Sequence, residues 1–153
     1  MNSPEVEEVL ALWQPRVAEI SDWQQLVAGV TPKEGGCGLV YELPNLVENR
    51  PNESFAIADM RHLRISEAHR HTNGEVEVYI VLTGTGKIAV GTEIRTLAPG
   101  DTIVTPSETM HCVLPGQDLV LAVINTPPFN LDNYVAVDIH DVAVADILQQ
   151  LLA

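Results

Sequence analysis

Basic residues are scarce in this chain. Eight lysines and arginines stand against 21 aspartates and glutamates, a formal net charge of −13 over 153 residues. Nucleic acids and anionic membranes are bound through a positive field that displaces counterions, so neither is an expected partner. Cysteine is scarce as well. Cys37 and Cys112 are the two present, too few for a disulfide framework, and a reducing cytoplasm is the expected compartment. Long apolar runs are missing. The run from Leu119 to Ile124 falls far short of the about 20 residues that span a bilayer. Met1 to Leu10 carries acids where a secretory signal would carry a basic flank. Several catalytic signatures are absent too: Gly-x-Ser-x-Gly, the phosphate-binding loop, Gly-x-Gly-x-x-Gly and Cys-x-x-Cys. That removes the commonest hydrolase, nucleotide-binding and zinc-ribbon readings.

What is present reads as one globular domain with a sizeable core. Ser3, Pro4 and three glutamates form a helix start, and Val6, Val9, Leu10 and Trp13 follow at helical spacing. Pro15 is expected to interrupt or kink this helix. Ser21-Asp22 caps a second short helix with Trp23, Leu26 and Val27. Thr31 to Gly38 reads as a loop. These elements make an N-terminal helical extension over 1–37.

From Gly38 the pattern turns to β. Short runs rich in Val and Ile are separated by Gly, Pro, Asn and Ser. The expected strands are Leu39–Leu43, Phe55–Ile65, Ala68–His71, Glu77–Leu82, Lys87–Val90, Glu93–Leu97, Thr102–Thr105, His111–Leu114, Leu119–Asn125 and Val135–Val137. Many short strands without alternating helices predict a mainly β sandwich or barrel over 38–137. A C-terminal amphipathic helix, Asp141 to Leu152, lies within 138–153.

Two of five histidines sit in Ala68-His69-Arg70-His71. Residues i and i+2 of a strand share a face, so both imidazoles can enter one interior and meet one cation. Glu77 opens a strand that ends at Gly84. Gly100, Asp101 and a strand lead to Pro106, and His111 follows five residues on. This order of His-x-His, Glu-x6-Gly and Gly-x5-Pro with a following His resembles the two motifs of the cupin superfamily, over roughly Leu63 to Leu114. It resembles small single-domain bacterial cupins. The chain departs from their pattern at Leu63, Glu108 and Pro115, where they carry glycine, glycine and asparagine.

The resemblance implies a double-stranded β-helix, a jelly-roll barrel with helices at both ends of the chain. It implies one divalent metal held by His69, His71, Glu77 and His111. The donor set, three nitrogens and one oxygen without thiolate, suits Fe, Mn, Ni, Zn or Cu. An octahedral ion would keep two open positions. Glu75 competes with Glu77. Its spacing to Gly84 is poorer, and it reads as a solvated turn residue or an outer-shell carboxylate. Tyr79 shares the parity of Glu77 and is a candidate pocket residue, though equally a buried aromatic. Arg61 and Arg64 are candidate pocket cations that would pair an anionic substrate if they point inward, and equally residues of a solvated strand face. Cys112 is expected in the core, Cys37 in a loop, and His62 and His140 at the surface. The expected function is a metalloenzyme acting on a small molecule, dioxygenase-like or sugar-phosphate isomerase-like. The alternative is a non-catalytic binder. A homodimer is the expected assembly.

Overall fold

The computed structural model describes residues 2–153, so Met1 of the expected 1–37 extension lies outside the described residues. Ser3 accepts a hydrogen bond from the Val6 amide and Pro4 occupies the first turn, which starts α1 (Pro4–Ala18). The helix runs through Pro15, so the expected interruption does not occur. Pro15 has no amide to give the carbonyl of Ala11, a residue on the exposed side of the helix. The buried stripe Val6, Val9, Trp13 and Val17 supplies the packing that holds the helix together. Asp22 accepts from the amides of Gln24 and Gln25 and starts α2 (Trp23–Leu26).

Eleven strands follow: β1 (Lys33–Gly35), β2 (Gly38–Glu42), β3 (Ser54–Asp59), β4 (His69–His71), β5 (Val76–Thr83), β6 (Gly86–Val90), β7 (Glu93–Leu97), β8 (Thr102–Thr105), β9 (His111–Pro115), β10 (Val120–Thr126) and β11 (Tyr134–Ala136). The chain closes with α3 (Val142–Leu152), capped by Asp141. The segment expected as loop from Thr31 contains β1. The strand expected to reach Ile65 stops at Asp59, because the Asp59 carboxylate captures both the backbone amide and the guanidinium of Arg61 and turns the chain.

The strands form two antiparallel sheets, ordered β1-β2-β3-β10-β5-β8 and β11-β4-β9-β6-β7. Alternation along β5 and β10 sorts their side chains between two cores. Val78 and Ile80, with Val120, Ala122 and Ile124, pack outward with Trp13 and Val9. Tyr79, Val81 and Leu121 point between the sheets, against Ile88 and Val113 of the opposite sheet. With both faces covered, these strands read as nearly continuous apolar runs. Trp13 stacks on Phe55 at 4.8 Å between ring centres and donates its indole N–H to Glu53 at 2.6 Å. Ile147 and Leu151 of α3 cover the outer face of the second sheet around Ala89 and Cys112.

Two turns aim the strands that carry the motif. Gly84 ends β5 at φ +82°, and a Cβ there would stand 2.2 Å from the Asp118 carbonyl oxygen, so no other residue fits. Glu108 also has a left-handed backbone, φ +68°, at the position where the resemblance expects glycine. Its amide donates to the His71 carbonyl at 2.7 Å, tying the turn before β9 to the end of β4. A non-glycine residue holds that conformation at a cost of about 1–2 kcal/mol. The exposed pairing of Glu108 with Arg70 at 3.5 Å offsets little of it. Glu108→Gly therefore stabilises the fold, by up to about 1 kcal/mol once the added chain entropy of glycine is subtracted, or roughly 2–4 °C. A thermal melt checks this, and a lowered Tm would show that the Arg70 contact dominates.

Candidate metal centre

The site lies where the two sheets face each other. β4 and β9 pair with His69 opposite His111, and the second sheet thereby contributes three imidazoles. The first sheet answers with one carboxylate, Glu77 on β5, which pairs with Asn125 of β10 on one side and Thr105 of β8 on the other. His69, His71, Glu77 and His111 are all buried, and one ligand atom from each lies within 4.8 Å of the others. The Nε2 atoms of His111, His71 and His69 stand 3.0, 3.5 and 4.0 Å from the Glu77 carboxylate oxygens.

The ring tautomers are fixed from outside. The Nδ1–H of His69 donates to the Glu67 carbonyl at 2.7 Å, and that of His111 to the Thr109 carbonyl at 3.2 Å. A carbonyl can only accept, so Nε2 is the nitrogen each ring turns toward Glu77, where it meets the carboxylate through a proton, as His111 does at 3.0 Å, or through a metal ion. Lone pairs aimed at a carboxylate repel unless a proton or a cation lies between them. His71 points the same way: both its nitrogens are buried without a hydrogen bond of good geometry, although Nδ1 sits 2.9 Å from Glu75 Oε2. Four ligand atoms thus converge on one point between the sheets, and the set fits a divalent ion.

The titration behaviour follows from the same geometry. Burial, with the nearby His111, pulls the His69 pKa down to about 4. Burial acts likewise on His71, but Glu75 and Glu77 beside it outweigh that and raise it to about 9. Burial would raise the Glu77 pKa, yet hydrogen bonding to His111 and His71 holds it well below the usual carboxylate value. Tyr79 donates its hydroxyl to Glu77. Burial first, and the Glu77 charge second, push its pKa well above that of a free phenol.

Glu75 is not solvated. It is fully buried, which overturns the reading of it as an exposed turn residue. Asn125 donates to it at 2.7 Å, the Asn130 amide at 3.1 Å and Asn133 at 3.0 Å. Three donors thus converge on Glu75, which lies directly behind His71, its Oε2 2.9 Å from Nδ1 of that ring. Asn125 also donates to Glu77 at 3.1 Å and so couples the two carboxylates.

A cavity of about 560 Å³ opens on the cluster. His69, His71, Glu77, Tyr79 and Asn125 line it, and His111 contacts Glu77 at 3.0 Å without lining it. Arg61 and Arg64 do not line it. Both are exposed, with Arg61 held by Asp59 at 2.9 Å and its guanidinium 5.0 Å from the Trp23 ring centre. Cys37 does line the cavity, its thiol pushed up to about 12 mainly by burial. The sequence reading missed Tyr134, whose ring stacks on His69 at 4.4 Å and whose hydroxyl donates to Glu67. It also missed Asn125, although a lone polar residue in phase with Leu121 and Val123 on an apolar strand is a readable signal. His62 and His140 are exposed.

Residues 61–124 match the family described as Cupin domain. No curated protein matches the chain. Among solved structures, a variant of Streptomyces PAC13 with uridine is similar, with a TM-score of 0.62 at 14% identity over 73% of this chain and 88% of that one. The same protein is described elsewhere as a nucleoside dehydratase. A variant oxalate decarboxylase from Bacillus subtilis gives 0.61 at 15% identity, over 72% of this chain but 31% of the longer enzyme. KdgF from Halomonas sp. gives 0.52 at 17% identity, over 61% of this chain and 82% of that one. At such identities the likeness is one of fold.

Glu75 yields a prediction. Glu75→Gln keeps the shape but removes the charge that orients His71. Loss of such an outer partner lowers metal affinity by about 10–100-fold. Competition of the folded variant against a chelating dye measures this. Unchanged affinity would leave Glu75 with a structural role only.

Proposed function

We propose that this chain, whose residues 61–124 match the Cupin domain family, is a mononuclear metalloenzyme acting on a small organic molecule held between its two sheets. One observation carries the reading. The ligand cluster forms part of the wall of a cavity, not a closed knot within the core. A structural ion needs no such opening, whereas an ion that faces a substrate does. The volume of about 560 Å³ is in the range of small-molecule sites.

When bound, a divalent ion would supply Lewis acidity or a redox centre. The chain's own groups do the rest. Glu67 and Thr109 carbonyls fix the tautomers of His69 and His111, and Glu75 orients His71. Tyr79 holds one oxygen of Glu77 and Asn125 the other, so the carboxylate cannot swing. Met60, Val123 and Phe129 give the cavity apolar walls that exclude water and strengthen every polar contact inside.

Incubating the metal-loaded protein with a small-molecule extract tests the assignment by mass spectrometry. The expected result is a compound whose mass changes, with the change lost on chelation and in His111→Ala. A compound that co-purifies unchanged under every metal condition would mean a binding protein and overturn the enzyme assignment.

A further inference from the structure

The charged groups around the cavity are strongly one-sided. Glu34, Glu42, Glu53, Glu67 and Glu77 line it, and among the described residues Lys33 is the only lysine or arginine that does. Lys33 is already engaged by Glu42 at 3.1 Å. Glu53 is engaged by Arg50 and by the Trp13 indole. Glu67 accepts a hydrogen bond from Tyr134, a neutral donor that leaves its charge in place. Glu34 is exposed on the edge strand β1 and has no ion-pair partner among the described residues. Two negative charges at the rim therefore stand uncompensated.

The deep end does not reverse this sign. A divalent ion would be balanced by two carboxylates, Glu77 against it and Glu75 one residue behind through His71. The arginines that could have received an anion, Arg61 and Arg64, are exposed and away from the cavity. Between the rim and the cluster the walls are apolar and aromatic, with Phe129 partly exposed and Tyr134 reaching from His69, on which its ring stacks, to Glu67. Aromatic faces attract ammonium groups, and a cleft lined by one sign of charge draws the opposite sign.

We propose that the cavity selects a small organic amine, with its apolar body between the sheets and its ammonium at the Glu34–Glu67 rim, and that it discriminates against carboxylates and phosphates. The inference rests on the reading of this cavity as the substrate site. It goes beyond that reading by assigning the charge of the occupant and the residues that choose it.

The test uses three near-isosteric probes on the metal-loaded protein: 2-phenylethylamine, 2-phenylethanol and 3-phenylpropionate. Saturation-transfer NMR or calorimetry gives their affinities at low and high salt. The expected order is amine, then alcohol, then carboxylate, with the amine favoured over the carboxylate by about tenfold at low salt. High salt narrows the gap, because the rim is exposed to solvent. Glu67→Gln narrows it as well, and so does Glu34→Gln, which lies on an exposed edge and does not threaten folding. A carboxylate that binds as tightly as the amine, an order indifferent to both variants, or no binding of any probe at millimolar concentration each overturn the proposal. Metal content measured on the same samples separates the two readings. Protein that keeps the amine preference but holds no metal would refute the metalloenzyme assignment alone. Protein that holds its metal but prefers the carboxylate would refute the substrate class alone.

Discussion

An ionised carboxylate buried between two sheets is the constraint on which the arrangement depends. Glu77 is 6% exposed, and taking such a charge out of water costs several kcal/mol unless opposite charge and hydrogen bonds surround it. The first sheet supplies part of the compensation, through Tyr79 and Asn125. The opposite sheet supplies the rest, through three imidazoles. The carboxylate thus ties the sheets together electrostatically, at a level where the hydrophobic core gives way to cavity. Without a metal ion, protons on the imidazoles supply the opposite charge: His71, despite its burial, has its pKa raised to about 9 by Glu75 and Glu77. A divalent ion would take the place of those protons.

That constraint explains why so many distant elements converge on a few atoms. The turn at Glu108 is strained yet is bonded to the His71 carbonyl, so it holds β4 and β9 in the phase that brings His71 and His111 together. Gly84 permits the close approach of the Asp118 carbonyl that ends β5. The loop from Asn130 to Asn133 folds back to donate to Glu75. The helices α1 and α3 cover the outer faces of the two sheets, which leaves the space between the sheets free for chemistry.

Much of this was legible in the sequence. Strand parity placed His69 and His71 on one face, and the resemblance of the Glu77–Gly84 and Pro106–His111 spacings to the cupin motifs implied the remaining two members of the cluster. The β-rich middle and both terminal helices followed from short Val- and Ile-rich runs and from caps. What escaped depended on long-range pairing. Glu75 looked like a turn residue because its hydrogen-bonding partners Asn125, Asn130 and Asn133 lie 50 or more residues away. Tyr134 reaches His69 only because β11 pairs with β4. Arg61 and Arg64 seemed placed to meet a substrate, but Asp59 turns the chain outward two residues before Arg61. Pro15 was expected to interrupt or kink a helix that instead continues through it, held by its buried face.

The most direct test of the central claim is elemental analysis by plasma mass spectrometry on untagged protein, with His69→Ala and His111→Ala prepared in parallel. The account predicts about one equivalent of a single transition metal in the parent, as expected for one N3O site, and its loss in both variants while their folds persist. A parent that holds no metal even after reconstitution with Fe, Mn, Ni, Zn and Cu in turn would contradict it, and so would variants that keep their metal.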